Sequence, residues 1–95
     1  RRLDRDDLRR IVDIQLDHLR GRLAERRLNL AVTDGAKDWL AETGFDPDLG
    51  ARPLRRLIQR SVEDPLALTL LKGGYNDGDT VSVDRSQDGG GLVLT

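Results

Sequence analysis

The sequence contains no cysteine, no methionine and a single histidine, and its aromatic residues are one tryptophan, one tyrosine and one phenylalanine. Without cysteine there are no disulfide bonds and no thiol catalysis, and His18 alone cannot form a zinc site of the usual composition. No apolar run approaches the roughly 20 residues that a membrane-spanning helix needs. The 16 basic and 17 acidic residues leave a net charge of -1, without the basic excess of nucleic-acid-binding domains. We therefore expect no metal, no membrane, no nucleic acid and a cytoplasmic setting.

Catalytic motifs are also missing from the sequence. It has no phosphate loop of the form GxxxxGK[ST] and no serine, histidine and acid set that would activate a nucleophile. Acidic pairs such as Asp46 with Asp48 are explained as solvated surface carboxylates. We predict that residues 1–95 form one domain with no catalytic residues of its own. The first residues are charged and lack an initiator methionine, so we expect a piece of a longer polypeptide.

Apolar residues in the first part of the chain recur at three- and four-residue steps, which predicts an amphipathic helix capped by Asp4 and running to about Arg26. Its stripe consists of Leu8, Ile11, Val12, Leu16, Leu19 and Leu23. The alternation of residues 28–32 predicts a strand with one buried face. A short second helix follows, and Gly44 sits where a left-handed helix terminator is expected.

A third helix is predicted to open at Arg52-Pro53-Leu54, because proline suits the first helical position. Pro65 is expected to interrupt it, since proline lacks an amide hydrogen and clashes with the preceding turn. A fourth helix then runs to about Lys72 and is closed by Gly73-Gly74.

The end of the chain is predicted to form a hairpin. Two strands, Asp79 to Asp84 and Leu92 to Thr95, are joined through Asp88 to Gly91, whose glycines permit a positive φ. These strands are expected to pair with the earlier one. The predicted fold is therefore α+β, with about four helices packed on one face of a three-stranded sheet.

Three arginines lie at the start of the third helix, in the run Gly50-Ala51-Arg52-Pro53-Leu54-Arg55-Arg56. The residue before a proline is restricted, which makes Arg52 the predicted N-cap. Cations at a helix N-terminus are unfavourable by a few tenths to about 1 kcal/mol, so a local rule is broken. Two explanations stay open. In the first, helix amides and a guanidinium together hold an anion such as phosphate. In the second, the arginines pair with Asp46, Asp48 or Glu63.

The run Gly44-Phe45-Asp46-Pro47-Asp48-Leu49-Gly50-Ala51-Arg52-Pro53-Leu54 resembles the sensor-2 segment of the Clp family of AAA+ ATPases, which often has tyrosine in place of Phe45. Three more stretches are similar to the family in the same order: Ile11 to Leu16, Glu63 to Ala67, and the final hairpin. The resemblance covers nearly the whole chain. Within the family it is strongest to the C-terminal small subdomain of the second ATPase module of ClpB-type disaggregases.

The resemblance implies a lid that closes over ATP bound mainly by a preceding large subdomain, which supplies the phosphate loop and holds magnesium. It also implies that Arg52 is the sensor-2 arginine approaching the γ-phosphate, with Gly50, Ala51 and Pro53 setting the backbone around it. Ile11 matches a residue lining the adenine pocket, although an ordinary core position explains it equally well. The implied partners are the large subdomain, neighbouring subunits of a homohexamer, and unfolded or aggregated protein substrates.

Two other interpretations stay open from the sequence. The chain also resembles the ends of ClpA-like and ClpC-like unfoldases, which deliver substrates to a barrel-shaped peptidase. Alternatively, it is a free-standing protein-interaction module whose arginines dock an acidic partner and which has no role in nucleotide binding.

Overall fold

Residues 4–95 are described by a computed structural model and form three helical rods and a small sheet. The elements in chain order are α1 (Arg5–Ala24), β1 (Asn29–Val32), α2 (Asp34–Thr43), α3 (Leu54–Ile58), a π-helical turn (Gln59–Glu63), α4 (Asp64–Leu71), β2 (Thr80–Arg85) and β3 (Leu92–Leu94). The helices pack against one face of the sheet, so the predicted α+β class is confirmed.

Helix α1 begins at a capping box. The Asp4 carboxylate accepts a hydrogen bond from the Asp7 amide at 2.8 Å, and the Asp7 carboxylate accepts one from the Asp4 amide. The fully buried residues of α1 are members of the predicted stripe: Val12, Leu16, Leu19 and Leu23. Ile14 lies off the stripe and is 49% exposed, as the helical spacing requires. Within residues 4–95, no helix is both long and apolar enough to cross a membrane.

The sheet has the strand order β1-β2-β3 and mixes two kinds of pairing. Strand β1 runs parallel to β2, with Leu30 opposite Val81, and β2 runs antiparallel to β3. Parallel neighbours need a long crossover, which the segment containing α2, α3 and α4 supplies. The hairpin turn between β2 and β3 contains Gly89 at φ +76°, which confirms the glycine turn predicted there.

The predicted interruption at Pro65 is wrong, and with it the count of four separate helices. The chain stays helical from Leu54 to Leu71, and the proline is accommodated by the π-helical turn just before it. The Asp64 amide donates to the carbonyl of Gln59, five residues back instead of four. Because the π-helical turn makes five-residue hydrogen bonds just before Pro65, which has no amide hydrogen, the chain passes the proline without leaving a helical conformation. Helices α3 and α4 and the turn between them therefore form one continuous rod.

The prediction of a left-handed terminator at Gly44 is also wrong. Gly44 has φ -86°, a value that other residues adopt freely. It is buried, and a Cβ atom at this position would lie 2.7 Å from Leu54 Cδ1 and 2.8 Å from the Leu40 carbonyl oxygen. A side chain is therefore excluded by the close approach of α2 and α3, which brings the start of α3 against the end of α2.

The core is formed by apolar side chains from all three helical rods and from β1 and β2. Its members are Val12, Leu16, Leu19, Leu23, Leu28, Leu30, Ala36, Leu40, Ala41, Leu54, Leu57, Ile58, Val62, Leu66, Val81 and Val83. None of the fully buried residues within 4–95 is polar or charged. The charged side chains therefore lie at the surface, where any chemistry of this domain must take place.

Candidate nucleotide-facing loop

The loop between α2 and α3 is closed by backbone hydrogen bonds. The amide of Asp46 donates to the carbonyl of Gly50 at 2.8 Å, and the amide of Gly50 donates to the carbonyl of Asp46 at 2.7 Å. Inside this closed loop the Asp46 carboxylate accepts from the amides of Asp48, at 2.8 Å, and Leu49, at 3.0 Å. Gly50 has φ +67°, a conformation that costs a non-glycine residue roughly 1–2 kcal/mol.

A second turn joins this loop to α3. The amide of Arg52 donates to the Leu49 carbonyl at 3.4 Å, and the amide of Leu54 donates to the Ala51 carbonyl at 3.0 Å. Pro53 occupies the N-cap position with φ -69° and ψ -13°, so α3 starts one residue later than predicted and Arg52 is not its cap. The reason lies in the hydrogen bonds: the Pro53 carbonyl accepts the first four-residue helical bond, from the Leu57 amide at 3.0 Å, whereas Arg52 lies in three-residue turns.

The arginines of this segment are free of ion pairs. Arg52, Arg55 and Arg56 are exposed, and none pairs with a carboxylate within residues 4–95. The pairs considered from the sequence do not form, and two of the three acids have other partners: Asp46 accepts from backbone amides and Glu63 pairs with Arg22. The explanation in which these arginines neutralise nearby acids is therefore wrong.

The structure places four of the five predicted nucleotide-binding residues together, since Gly50, Ala51, Arg52 and Pro53 form one continuous turn. Ile11 lies on a different element. It is half-buried in α1 and packs against the hydrophobic core, and α1 contacts α3. Its packing agrees with an ordinary core position and leaves its role at the adenine a prediction.

A polar cleft of about 390 Å³ lies between α1 and the rod formed by α3 and the π-helical turn. Its lining residues are Gln15, His18, Arg22, Arg55, Ile58, Gln59 and Glu63. The sequence reasoning missed this cleft. A signal existed, because the polar residues of α1 recur at steps of three and four beside the apolar stripe, but the opposite wall depends on how α3 packs.

Among the described residues, no group of three or more His, Asp or Glu side chains is arranged to hold a metal ion.

A shifted carboxyl pKa lies in the hairpin, away from the loop that contains Arg52. Hydrogen bonds from the Ser86 hydroxyl and the Gly90 amide lower the pKa of Asp88, because both donors favour the ionised carboxylate.

A helical rod set over a small mixed sheet, with an exposed arginine after the closed Asp46–Gly50 loop, agrees with the class that the sequence resembles, the small subdomain of Clp-type AAA+ ATPases. The family described as the C-terminal, D2-small domain, of ClpB protein matches residues 3–83. The chain therefore belongs to this ClpB D2-small family.

Curated relatives are similar along almost the whole chain. It is 60% identical over 89 residues to "Chaperone protein ClpB" of Corynebacterium glutamicum, covering 94% of this chain and 10% of that protein. The protein of the same name from Propionibacterium freudenreichii is 57% identical over 90 residues, or 95% of this chain and 10% of the relative. The Mycobacterium tuberculosis protein is 56% identical over 92 residues, or 97% and 11%. The chain thus spans about a tenth of the length of these relatives.

Proposed function

We propose that this chain is the lid subdomain of an ATP-dependent, ClpB-like chaperone that unfolds and disaggregates proteins. The observation that carries the proposal is the exposure of the Arg52 side chain. Its guanidinium is exposed and has no ion-pair partner within residues 4–95, in a chain that belongs to the ClpB D2-small family. Such a group suits phosphate oxygens, because arginine is always charged and presents a planar fork of donors.

Arg52 would contact the γ-phosphate of ATP bound mainly by a large subdomain of the same protein, which also holds magnesium. The closed loop from Asp46 to Gly50 supports this role, since its hydrogen bonds fix the backbone that leads into Arg52. Gly50, Ala51 and Pro53 would set the path of the turn, and Ile11 would line the adenine pocket. A guanidinium beside the γ-phosphate would stabilise the negative charge of a transferring phosphoryl group.

In this proposal the domain is not an enzyme by itself, and its contribution is to couple phosphate loss to motion. Arg52 would bind the ATP state more strongly than the ADP state, so hydrolysis would release the lid and let it rotate against the large subdomain. The partners would be that large subdomain, the neighbouring subunits of a cytoplasmic homohexamer, and unfolded or aggregated polypeptides. The ClpB family match supports this function over an unfoldase that feeds a peptidase.

The test is Arg52→Ala in the full-length protein, with ATP hydrolysis and assembly measured together. Loss of one donor to the developing charge of a transferring phosphoryl group costs about 10²–10³ in kcat, so we expect a decrease of that order with assembly retained. Lys72→Ala is the matched control, because Lys72 is also exposed and unpaired within the described residues. Hydrolysis unchanged in Arg52→Ala would contradict the proposal.

A further inference from the structure

Further arginines follow Arg52 along the rod that begins at Leu54. Arg55, Arg56 and Arg60, here called the basic face, are exposed, and none forms an ion pair within residues 4–95. The segment of residues 49–62 contains no acidic residue at all. The basic face is therefore a local excess of positive charge on a chain whose net charge is -1.

Cations elsewhere on this domain are mostly neutralised by acids from other elements. Arg9 contacts the carboxylates of Asp34 and Asp38, at 3.1 and 2.8 Å. Lys37 and Arg85 likewise have carboxylate partners, at 2.9 and 3.2 Å. Arg10, Arg26 and Lys72 are also exposed and without ion pairs in the described chain, but they are far apart in sequence, whereas the basic face groups three such cations between residues 55 and 60.

The spacing of these arginines has an energetic cost. Arg56 lies four residues before Arg60 within the helical rod, a spacing that places both residues on one side of a helix. Like charges at this spacing on a helix repel each other. A partner that supplies negative charge would remove this repulsion as it binds.

The basic face borders the polar cleft, because Arg55 also lines it. Gln15, His18 and Gln59 bring further hydrogen-bonding groups to this cleft, while its one carboxylate, Glu63, is held by Arg22. The surface therefore combines unpaired guanidinium groups with a neighbouring recess that has polar walls. Such a recess has room for an acidic side chain beside the arginines.

We propose that the basic face docks an acidic protein segment, with carboxylates contacting Arg55, Arg56 and Arg60. Guanidinium groups form bidentate pairs with carboxylates, which favours a partner of this chemistry. A nucleic acid fits less well, because the positive surface is short and Asp48 and Asp64 border it in the sequence. Residues 49–62 also include no aromatic side chain on which a base could stack.

The experiment uses the full-length protein with a saturating, slowly hydrolysed ATP analogue, so that Arg52 and the nucleotide site are occupied throughout. Binding of a fluorescent oligoglutamate peptide is followed by anisotropy, beside an oligodeoxythymidine strand of the same formal charge. We expect the peptide to bind more tightly than the strand. Arg56→Gln/Arg60→Gln should weaken peptide binding about three- to tenfold, as expected for two solvent-exposed ion pairs.

The control is Arg26→Gln/Lys72→Gln, which removes the same charge from two exposed residues without ion pairs in the described chain. It should change peptide affinity less than about twofold. Three results would overturn the inference: no binding of the peptide, equal weakening by the control, or tighter binding of the nucleic-acid strand. None depends on Arg52, so this inference and the proposed nucleotide role can fail separately.

Discussion

Asp46 and Gly50 bond to each other twice, through amide and carbonyl groups at 2.8 and 2.7 Å, and so close the loop that precedes Arg52. The Asp46 side chain adds two more hydrogen bonds inside the loop. This arrangement orders the backbone before any ligand arrives. Binding through Arg52 would then need little further ordering of the loop, which is the usual advantage of a preorganised site.

Gly50→Ala should destabilise the loop by roughly 1–2 kcal/mol, because residue 50 has φ +67° and a Cβ atom is strained there. The matched control is Gly91→Ala, since Gly91 lacks a positive φ and a Cβ atom would meet nothing within 4 Å. Thermal unfolding of both variants measures the difference. Equal stability in the two would show that the left-handed conformation at Gly50 is not needed.

Asp46→Ala removes the acceptor of the Asp48 and Leu49 amides and should cost about 1–2 kcal/mol of local stability. Hydrogen exchange at these two amides should accelerate, while exchange in the core strand β2 stays unchanged. Asp46→Asn retains an oxygen acceptor and should behave nearly like the parent. Unchanged exchange in Asp46→Ala would mean that the two side-chain hydrogen bonds do not order the loop.

Gly44→Ala should lower the free energy of unfolding by about 1–3 kcal/mol, because the new methyl group would overlap Leu54 and the Leu40 carbonyl. Gly21→Ala is the control within α1, where a Cβ atom meets nothing within 4 Å. That substitution should instead stabilise the chain by roughly 0.5–1 kcal/mol, through higher helix propensity. Denaturant unfolding of both variants gives opposite signs if the close packing at Gly44 is real.

The Asp88 carboxylate should titrate below its ordinary pKa, and Ser86→Ala should move the pKa back up, because the Ser86 hydroxyl is its strongest donor. A lowered pKa in the folded state contributes stability above the unfolded pKa, and that stability is lost as pH falls through the folded pKa. Carboxyl chemical shifts followed by NMR across acidic pH measure both forms. A pKa unaffected by Ser86→Ala would contradict the hydrogen-bond explanation.

The parts of the fold that depend on local spacing could be predicted from the sequence. The stripe of α1 and its Asp4 cap are confirmed, because three- and four-residue steps define one face of a helix. The strand ending in Val32 is confirmed because alternation defines one face of a strand, and the hairpin is confirmed because its glycines permit a positive φ. Each of these features is decided by residues close together in the chain.

The predictions that are wrong concern features that the local sequence pattern does not decide. Pro65 alone indicates a break, and only the packed rod shows that a π-helical turn accommodates it. The position of Gly44 after a helix predicts a left-handed terminator, whereas the structure requires glycine there because of a tertiary contact with Leu54. The pairing of Glu63 with Arg22 joins residues far apart in sequence, so the freedom of the nearby arginines could not be predicted.

The central claim is that Arg52 distinguishes ATP from ADP, and nucleotide affinity tests it most directly. The dissociation constants of a slowly hydrolysed ATP analogue and of ADP are measured for the full-length protein, for Arg52→Ala and for Lys72→Ala. Our account predicts that Arg52→Ala weakens binding of the analogue about tenfold or more, changes ADP binding little, and differs in this from the control. Equal effects on both nucleotides, or no effect on either, would contradict it.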